Sequence, residues 1–390
     1  MRRANALPRY RLKIKTQKHT MTAQEKILPL LQRVTSSGKK LLYIDGLRFF
    51  AVISVFLFHF IDYYDDQHVG FITKYRFIQD YLQGSVMGVI LFFSISGFLI
   101  AMPFYSSYAD SGQKFSLRDY YIRRLTRLEP PYIIHLILLF VLTVFILKTK
   151  TFSWAFPHLL ASIFYSHEII YGEMPVLNTV LWTLEIEIQF YIMAPLLALV
   201  FRLPRFPRRI ALLTLISIFM FWKPVLFDFP SVLNYIHYFL TGFLALDVCM
   251  QFRDRAGKYI LFDVACFSSL ALLWFSAIEF VTGALLFVLL VCSPRTKYFI
   301  KILEHKIVYT IGGMCYSIYM LHQKVIYMVH AVFLRHTLIG NSYLTDFFVR
   351  LFYTLIFTLL VSAVFFILVE RPTMKKLWWR YRSLRKLVAA

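Results

Sequence analysis

The sequence predicts an all-α fold: a polytopic membrane bundle of about ten transmembrane helices with both termini in the cytoplasm. Three observations predict it. Hydrophobic residues make up 59% of the 390, aromatics 18% and charged residues only 16%, far from the balance of a soluble domain. Ten apolar runs approach the roughly 20 residues needed to cross a bilayer. Most of the 43 Lys and Arg fall in alternate loops, as they do where those loops are cytoplasmic. The net charge of +22 then reads as a topology signal plus attraction to anionic headgroups. No nucleic-acid partner is needed to explain it.

Residues 1–40 are polar and basic and are expected as a cytoplasmic tail on the inner leaflet. No short apolar segment with a small-residue cleavage site precedes the first span, so a cleavable signal peptide is not expected. The bundle is expected over 41–371 as a single unit without internal repeats, followed by a second basic tail at 372–390. Spans are expected at 42–61, 84–103, 131–147, 180–201, 210–227, 231–250, 258–275, 277–292, 307–334 and 347–369. The stretch 155–170 is short and polar for a span and is expected as a re-entrant or surface helix. Cys249, Cys266, Cys292 and Cys315 lie in apolar segments without paired spacing, so they read as packing thiols and not as disulfide or zinc ligands.

The first span, DGLRFFAVISVFLFHF, carries Arg48 and His59. Eleven residues is about three helical turns, so the two share a face and stand roughly 16 Å apart along the axis. Ionisable groups inside a span are costly and usually functional, although an Arg can snorkel and a His can bond to a neighbouring helix. In the second span, FFSISGFLIA, Ser94, Ser96 and Gly97 form a small-residue patch suited to close helix packing. The following loop, FSLRDYYIRRLTRLEPPY, puts Arg124 and Arg127 on one face of a short helix that Pro130 and Pro131 are expected to end. Paired guanidiniums suit phosphate oxygens, whether of a ligand or of lipid at a cytoplasmic stop cluster.

The fourth span contains LWTLEIEIQFY. Glu185 and Glu187 are about 200° apart on a helix, so one faces inward and the other something else. The ninth span, IGGMCYSIYMLHQKVIYMVH, places His322 near Tyr316, Ser317 and Tyr319, where an interior hydrogen-bonded role is expected first. No nucleotide-binding glycine loop, zinc-protease helix or serine-hydrolase elbow occurs.

Taken in order, DGLRFFAVISVFLFH, FFSISGFLI, YIRRLTRLEPPY, LWTLEIEIQFY, YSIYMLH and VERPTMKK resemble acyltransferase family 3, membrane enzymes that O-acylate surface glycans and related sugars. The resemblance covers about residues 42–376. It implies donor binding by Arg48, Arg124 and Arg127, with catalysis by His59 and Glu187 and support from His322 and Tyr316. Ile188 departs from the family's second Glu and is left out of the chemistry.

The implied donor is cytoplasmic acyl-CoA, expected to be acetyl-CoA, with no bound cofactor and no metal. The implied acceptor is a carbohydrate or lipid-linked sugar, and membrane lipids are the other partners, in the cell's inner membrane. His59 is expected as the general base for the acceptor hydroxyl, with an acyl-imidazole route as the alternative. Glu187 or another carboxylate is expected to orient its ring and stabilise imidazolium. A transporter or flippase for a lipid-linked sugar is the rival reading, since buried His and Arg also line polar pathways.

Overall fold

The computed structural model describes residues 28–34, 41–67, 84, 87–110, 115–221, 231–252, 257–276, 278–333 and 343–374. Every regular element among them is helical. The first half comprises α1 (Leu42–Gln67), α2 (Met87–Tyr105), α3 (Leu117–Val141), α4 (Phe152–Ile163), α5 (His167–Tyr171), α6 (Trp182–Leu197) and α7 (Arg205–Phe221). The second half comprises α8 (Val232–Gln251), α9 (Ile260–Leu273), α10 (Glu279–Cys292), α11 (Phe299–Leu303), α12 (Lys306–Gly313), α13 (Cys315–Phe333) and α14 (Tyr343–Phe365), ending in a turn at Arg371–Thr373.

A helix stands at each of the ten expected places. Six described stretches are long and apolar enough to cross a membrane: Leu42–Asp66, Met87–Asp110, Leu117–Ile146, Thr179–Arg202, Val232–Gln251 and Tyr343–Thr373. Helix α7 has 17 residues, and α9 and α10 have 14 each. Fourteen residues rise about 21 Å, short of a hydrocarbon core of roughly 30 Å. The ninth expected span is broken at Met314 into α12 and α13. Residues 85–86, 222–227, 277 and 334 of the expected spans lie outside the described residues, as do 1–27 and 35–40 of the first tail and 375–390 of the second.

The small-residue patch of α2 does the packing expected of it through two of its three members. Gly97 lies against the backbone of Phe239 on α8, and Gly242 of α8 lies against Ser94, so the two helices meet backbone to backbone. Ser94 Oγ donates to Tyr238 O at 3.0 Å. The rings of Phe93, Phe239 and Phe190 stack beside this crossing, with centroids 4.7 and 4.0 Å apart. Ser96 is spared for another partner. The four cysteines are free thiols.

Pro130 and Pro131 do not end their helix. Helix α3 starts on Ser116, whose side chain accepts from Asp119 N at 3.2 Å, and continues through both prolines to Val141. A proline inside a helix frees the carbonyl four residues earlier, and distant residues supply donors to this turn. Thr373 Oγ1 donates to Arg127 O at 3.3 Å, and the Tyr316 hydroxyl donates to Leu128 O at 3.1 Å. The Thr373 bond takes up the carbonyl that Pro131 frees.

The segment 155–170 lies in a hairpin of α4 and α5, with 12 and 5 residues. Its tip, Tyr165, has a φ of 53° and stacks on Tyr132 of α3 at 4.5 Å. His158 and His167 face each other across the hairpin at 2.9 Å. Glu185 supplies the clasp: its two oxygens accept from the backbone N–H groups of His167 (3.3 Å) and Glu168 (3.2 Å). A carboxylate there satisfies amides that a helix start leaves unpaired.

Candidate active site

Helices α1 and α13 lie side by side and run the same way. Cys315 sits within the field of Arg48, His322 faces His59, and His330 faces Tyr63. Two polar centres are therefore set along one seam, the first around Arg48 and the second around His59, about three helical turns further on.

The first centre gathers basic residues from separate parts of the chain. Asp45 Oδ1 accepts from Arg48 Nη1 at 2.8 Å and from Arg33 Nη1 at 3.1 Å. Arg127 stands among the charges of Arg48, Glu370 and Arg124, and among the described residues its guanidinium makes no hydrogen bond to protein. Arg124 lies over the rings of Tyr191 and Tyr120, at 5.4 and 6.0 Å from their centroids. The Tyr120 hydroxyl donates to Tyr191 O at 3.2 Å. Glu370, from the closing VERP segment, accepts from the backbone N–H of Ser317 at 3.1 Å and from the Ser317 hydroxyl. Arg33 lies ahead of α1. Burial first, then Arg127 and Arg48, pull its guanidinium below the ordinary arginine value while Asp45 opposes them. An arginine starts high enough to stay charged.

Glu187 belongs to this first centre and not to His59. Its Oε1 accepts from Ser96 Oγ at 2.7 Å and from the Tyr191 hydroxyl at 2.5 Å, and its charge acts on Arg48. The ring-orienting contact expected between Glu187 and His59 is absent among the described residues. Local geometry explains this: Tyr191 is one turn along α6 from Glu187 and ties the carboxylate toward α2. Tyr316 likewise joins the arginine side, through its bond to Leu128 O and its place within the fields of Glu370 and Glu187.

The second centre is built from imidazole and aromatic rings. The His59 and His322 rings have centroids 5.1 Å apart, and the His59 ring makes no hydrogen bond to protein among the described residues. His322 Nδ1 lies 2.7 Å from Tyr319 O and 3.1 Å from Ile318 O. Carbonyl oxygens only accept, so a proton sits on Nδ1, and in the neutral ring the lone pair is on Nε2. That Nε2 is buried and has no partner among the described residues. The interior bond expected of His322 is thus present on one nitrogen only. The Tyr319 hydroxyl pairs with Thr183 Oγ1 at 2.7 Å, tying the start of α6 to this centre.

Three members of the first centre were missed by sequence reasoning. Asp45 was legible, three residues before Arg48 and therefore on its face. Glu370 carried a weaker signal, a lone acidic residue at the end of the last apolar run. Arg33 carried none. No group of three or more His, Cys, Asp or Glu suited to a metal ion occurs among the described residues.

Comparison with known proteins adds the following. Residues 41–368 match a family described as an acyltransferase domain. O-acetyltransferase OatA of Staphylococcus aureus strain NCTC 8325 is 26% identical over 373 residues, covering 85% of this chain and 57% of that protein. A protein of strain COL of the same species, named "Putative O-acetyltransferase SACOL0978", is 27% identical over 392 residues, covering 88% of this chain and 60% of that protein. The chain therefore spans a little over half the length of these relatives. No solved structure matches it.

Proposed function

The chain belongs to acyltransferase family 3, and we propose that it is an integral-membrane O-acetyltransferase. In this reading it crosses the inner membrane ten times with both ends in the cytoplasm. It takes an acetyl group from cytoplasmic acetyl-CoA and places it on a hydroxyl of a carbohydrate acceptor, such as a surface polysaccharide or lipid-linked sugar. The observation that carries the reading is the seam of α1 and α13, where a basic centre with an uncommitted guanidinium lies three turns from a pair of histidine rings. The names of the relatives support the acetyl group.

The two centres suit the two ends of the donor. Arg48, Arg124 and Arg127 would hold the phosphates, since guanidiniums grip phosphate oxygens in a fixed fork. A pantetheine arm reaches on the order of 15 Å, close to the helical rise from Arg48 to His59, which would bring the thioester carbonyl to the histidines. His59 then takes the acceptor's hydroxyl proton while the oxygen attacks the acyl carbon. The tetrahedral adduct collapses with cleavage of the carbon–sulfur bond, and the imidazolium returns the proton to the leaving thiolate. In the competing route, His59 Nε2 or Nδ1 attacks the thioester carbon and expels the CoA thiolate, and the acceptor hydroxyl then takes the acyl group from the imidazole, its proton neutralising the thiolate. His322 supports either route by offering a buried lone pair beside the ring of His59. Glu187 acts in this scheme by fixing Tyr191 beneath Arg124.

Purified protein in lipid discs, supplied with acetyl-CoA and an acceptor sugar, provides the test. The expected result is release of CoA thiol in step with acetyl ester formation. If the protein instead moves a lipid-linked sugar across vesicles while the thioester stays intact, the transporter reading replaces this one.

A further inference from the structure

We propose that Arg33, on the segment ahead of α1, is a fourth donor-binding guanidinium that holds phosphate oxygens at the nucleotide end of the donor together with Arg48, Arg124 and Arg127. The inference rests on the acyl-CoA reading and goes beyond it, because neither the span pattern nor the resemblance points to any residue before Asp45.

The segment is fixed in place independently of the charge it carries. Leu31 and Val34 pack against the main apolar core. Gln32 Nε2 donates to the Tyr309 hydroxyl on α12 at 3.1 Å, and Arg371 Nη2 donates to Pro29 O at 3.2 Å. Gly313 at the end of α12 lies beside Arg33, close enough that a Cβ there would touch the Arg33 Cβ at 3.6 Å. Residues 28–34 thus lie across the α1–α12 seam and direct Arg33 at Asp45.

The charges at this centre do not balance. Arg33 and Arg48 bond to the same oxygen of Asp45, so one carboxylate oxygen serves two guanidiniums. Glu187 already accepts from Ser96 and Tyr191, and Glu370 from Ser317. Four arginines therefore meet three carboxylates, two of which are already engaged by hydroxyl groups. Among the described residues, Arg33 Nε is buried with no partner, and the Arg127 guanidinium has no protein hydrogen bond. A buried donor without an acceptor is costly. A phosphate ester supplies both the missing negative charge and acceptor oxygens in fork geometry, so an excess of guanidinium over carboxylate charge suits an anion-binding site.

An ion pair that merely anchors the segment would treat all donors alike, and this separates the two roles. The experiment measures initial rates with acetyl-CoA and with S-acetyl-pantetheine, which carries the same thioester and arm but no nucleotide. The proteins are wild type, Arg33→Gln, Arg33→Lys and Gln32→Ala. Arg33→Gln is expected to raise the apparent KM for acetyl-CoA about tenfold or more, leaving kcat and the S-acetyl-pantetheine KM within about twofold. Arg33→Lys should recover part of the loss. Gln32→Ala, which loosens the segment without touching the charges, should leave the donor preference unchanged. Activity on S-acetyl-pantetheine certifies that each variant is folded. If Arg33→Gln shifts both donors equally, or neither, Arg33 is an anchor and the inference is wrong. If wild type itself does not distinguish acetyl-CoA from S-acetyl-pantetheine, the phosphate-binding reading of the whole arginine centre fails, and this inference with it.

Discussion

Around Arg48, four guanidiniums and three carboxylates are drawn from both ends of the chain and from α3 and α6. Around His59, three turns along the same helix, the neighbours are another imidazole, aromatic rings and a tyrosine–threonine pair. The first centre carries fixed charge that no proton transfer near neutral pH can remove, since guanidiniums do not release protons there. The second carries groups whose charge can change in one step. A fold that wanted only a polar pathway would have no reason to separate the two. The difference points to a division of labour, with binding at one end of the seam and chemistry at the other.

The largest expected effect comes from breaking the chemical end. His59→Ala should lower kcat by about a hundredfold to ten-thousandfold, the range over which a positioned base accelerates proton transfer, while the donor KM barely moves. An equal loss in His322→Ala would mean that the two rings act as one unit. A loss of about tenfold there would fit a supporting lone pair.

Breaking the binding end should act on the other parameter. Arg127→Ala removes an uncommitted guanidinium, whose charge-assisted bonds to phosphate contribute about 1.5–3 kcal/mol, so the apparent constant for acetyl-CoA should rise roughly tenfold or more. Arg127→Lys keeps the charge but not the fork and should recover only part. The effect of Arg124→Ala should be smaller, because that side chain is partly spent on Tyr191 and Tyr120. Donor titrations at saturating acceptor measure all three. A fall in kcat at constant donor KM for Arg127→Ala would move that residue out of the binding end.

Away from the seam, the α4–α5 hairpin should respond to pH. Burial first, then the Glu185 carboxylate, push Glu168 up from 4.5 to about 8. The folded state keeps its proton where the unfolded chain has lost it. The stability Glu168 contributes is therefore full below about 4.5 and is lost progressively as the pH rises through about 8. Glu168→Gln should flatten that fall in thermal-unfolding scans across this range and leave donor KM alone. A changed donor KM would join the hairpin to the binding end.

How much of this could be read from the sequence varies with how local the cause is. Arg48 and His59 share a face because of helical periodicity, and the positions of the helices follow from apolar runs, so both were legible. Gly97 and Ser94 were legible as a packing patch for the same reason. The passage of α3 through Pro130 and Pro131 was not, because the bonds at that turn come from Thr373 and Tyr316, far along the chain. The sequence separated the two carboxylates of the Glu185–Ile186–Glu187 run but could not say what each would meet. One clasps the α5 amides and the other meets Ser96 from a different helix. Arg33 was the least legible, fifteen residues ahead of Arg48, outside the expected spans and with no periodicity to aim it.

Equilibrium binding of CoA itself tests the division of labour most directly, since it needs no catalysis. Calorimetric titration of CoA into purified wild type, His59→Ala and Arg127→Ala separates the two ends of the seam. The account expects His59→Ala to bind CoA within about twofold of wild type and Arg127→Ala to bind it about tenfold more weakly or worse. Equal weakening in both variants, or full affinity in Arg127→Ala, would contradict it.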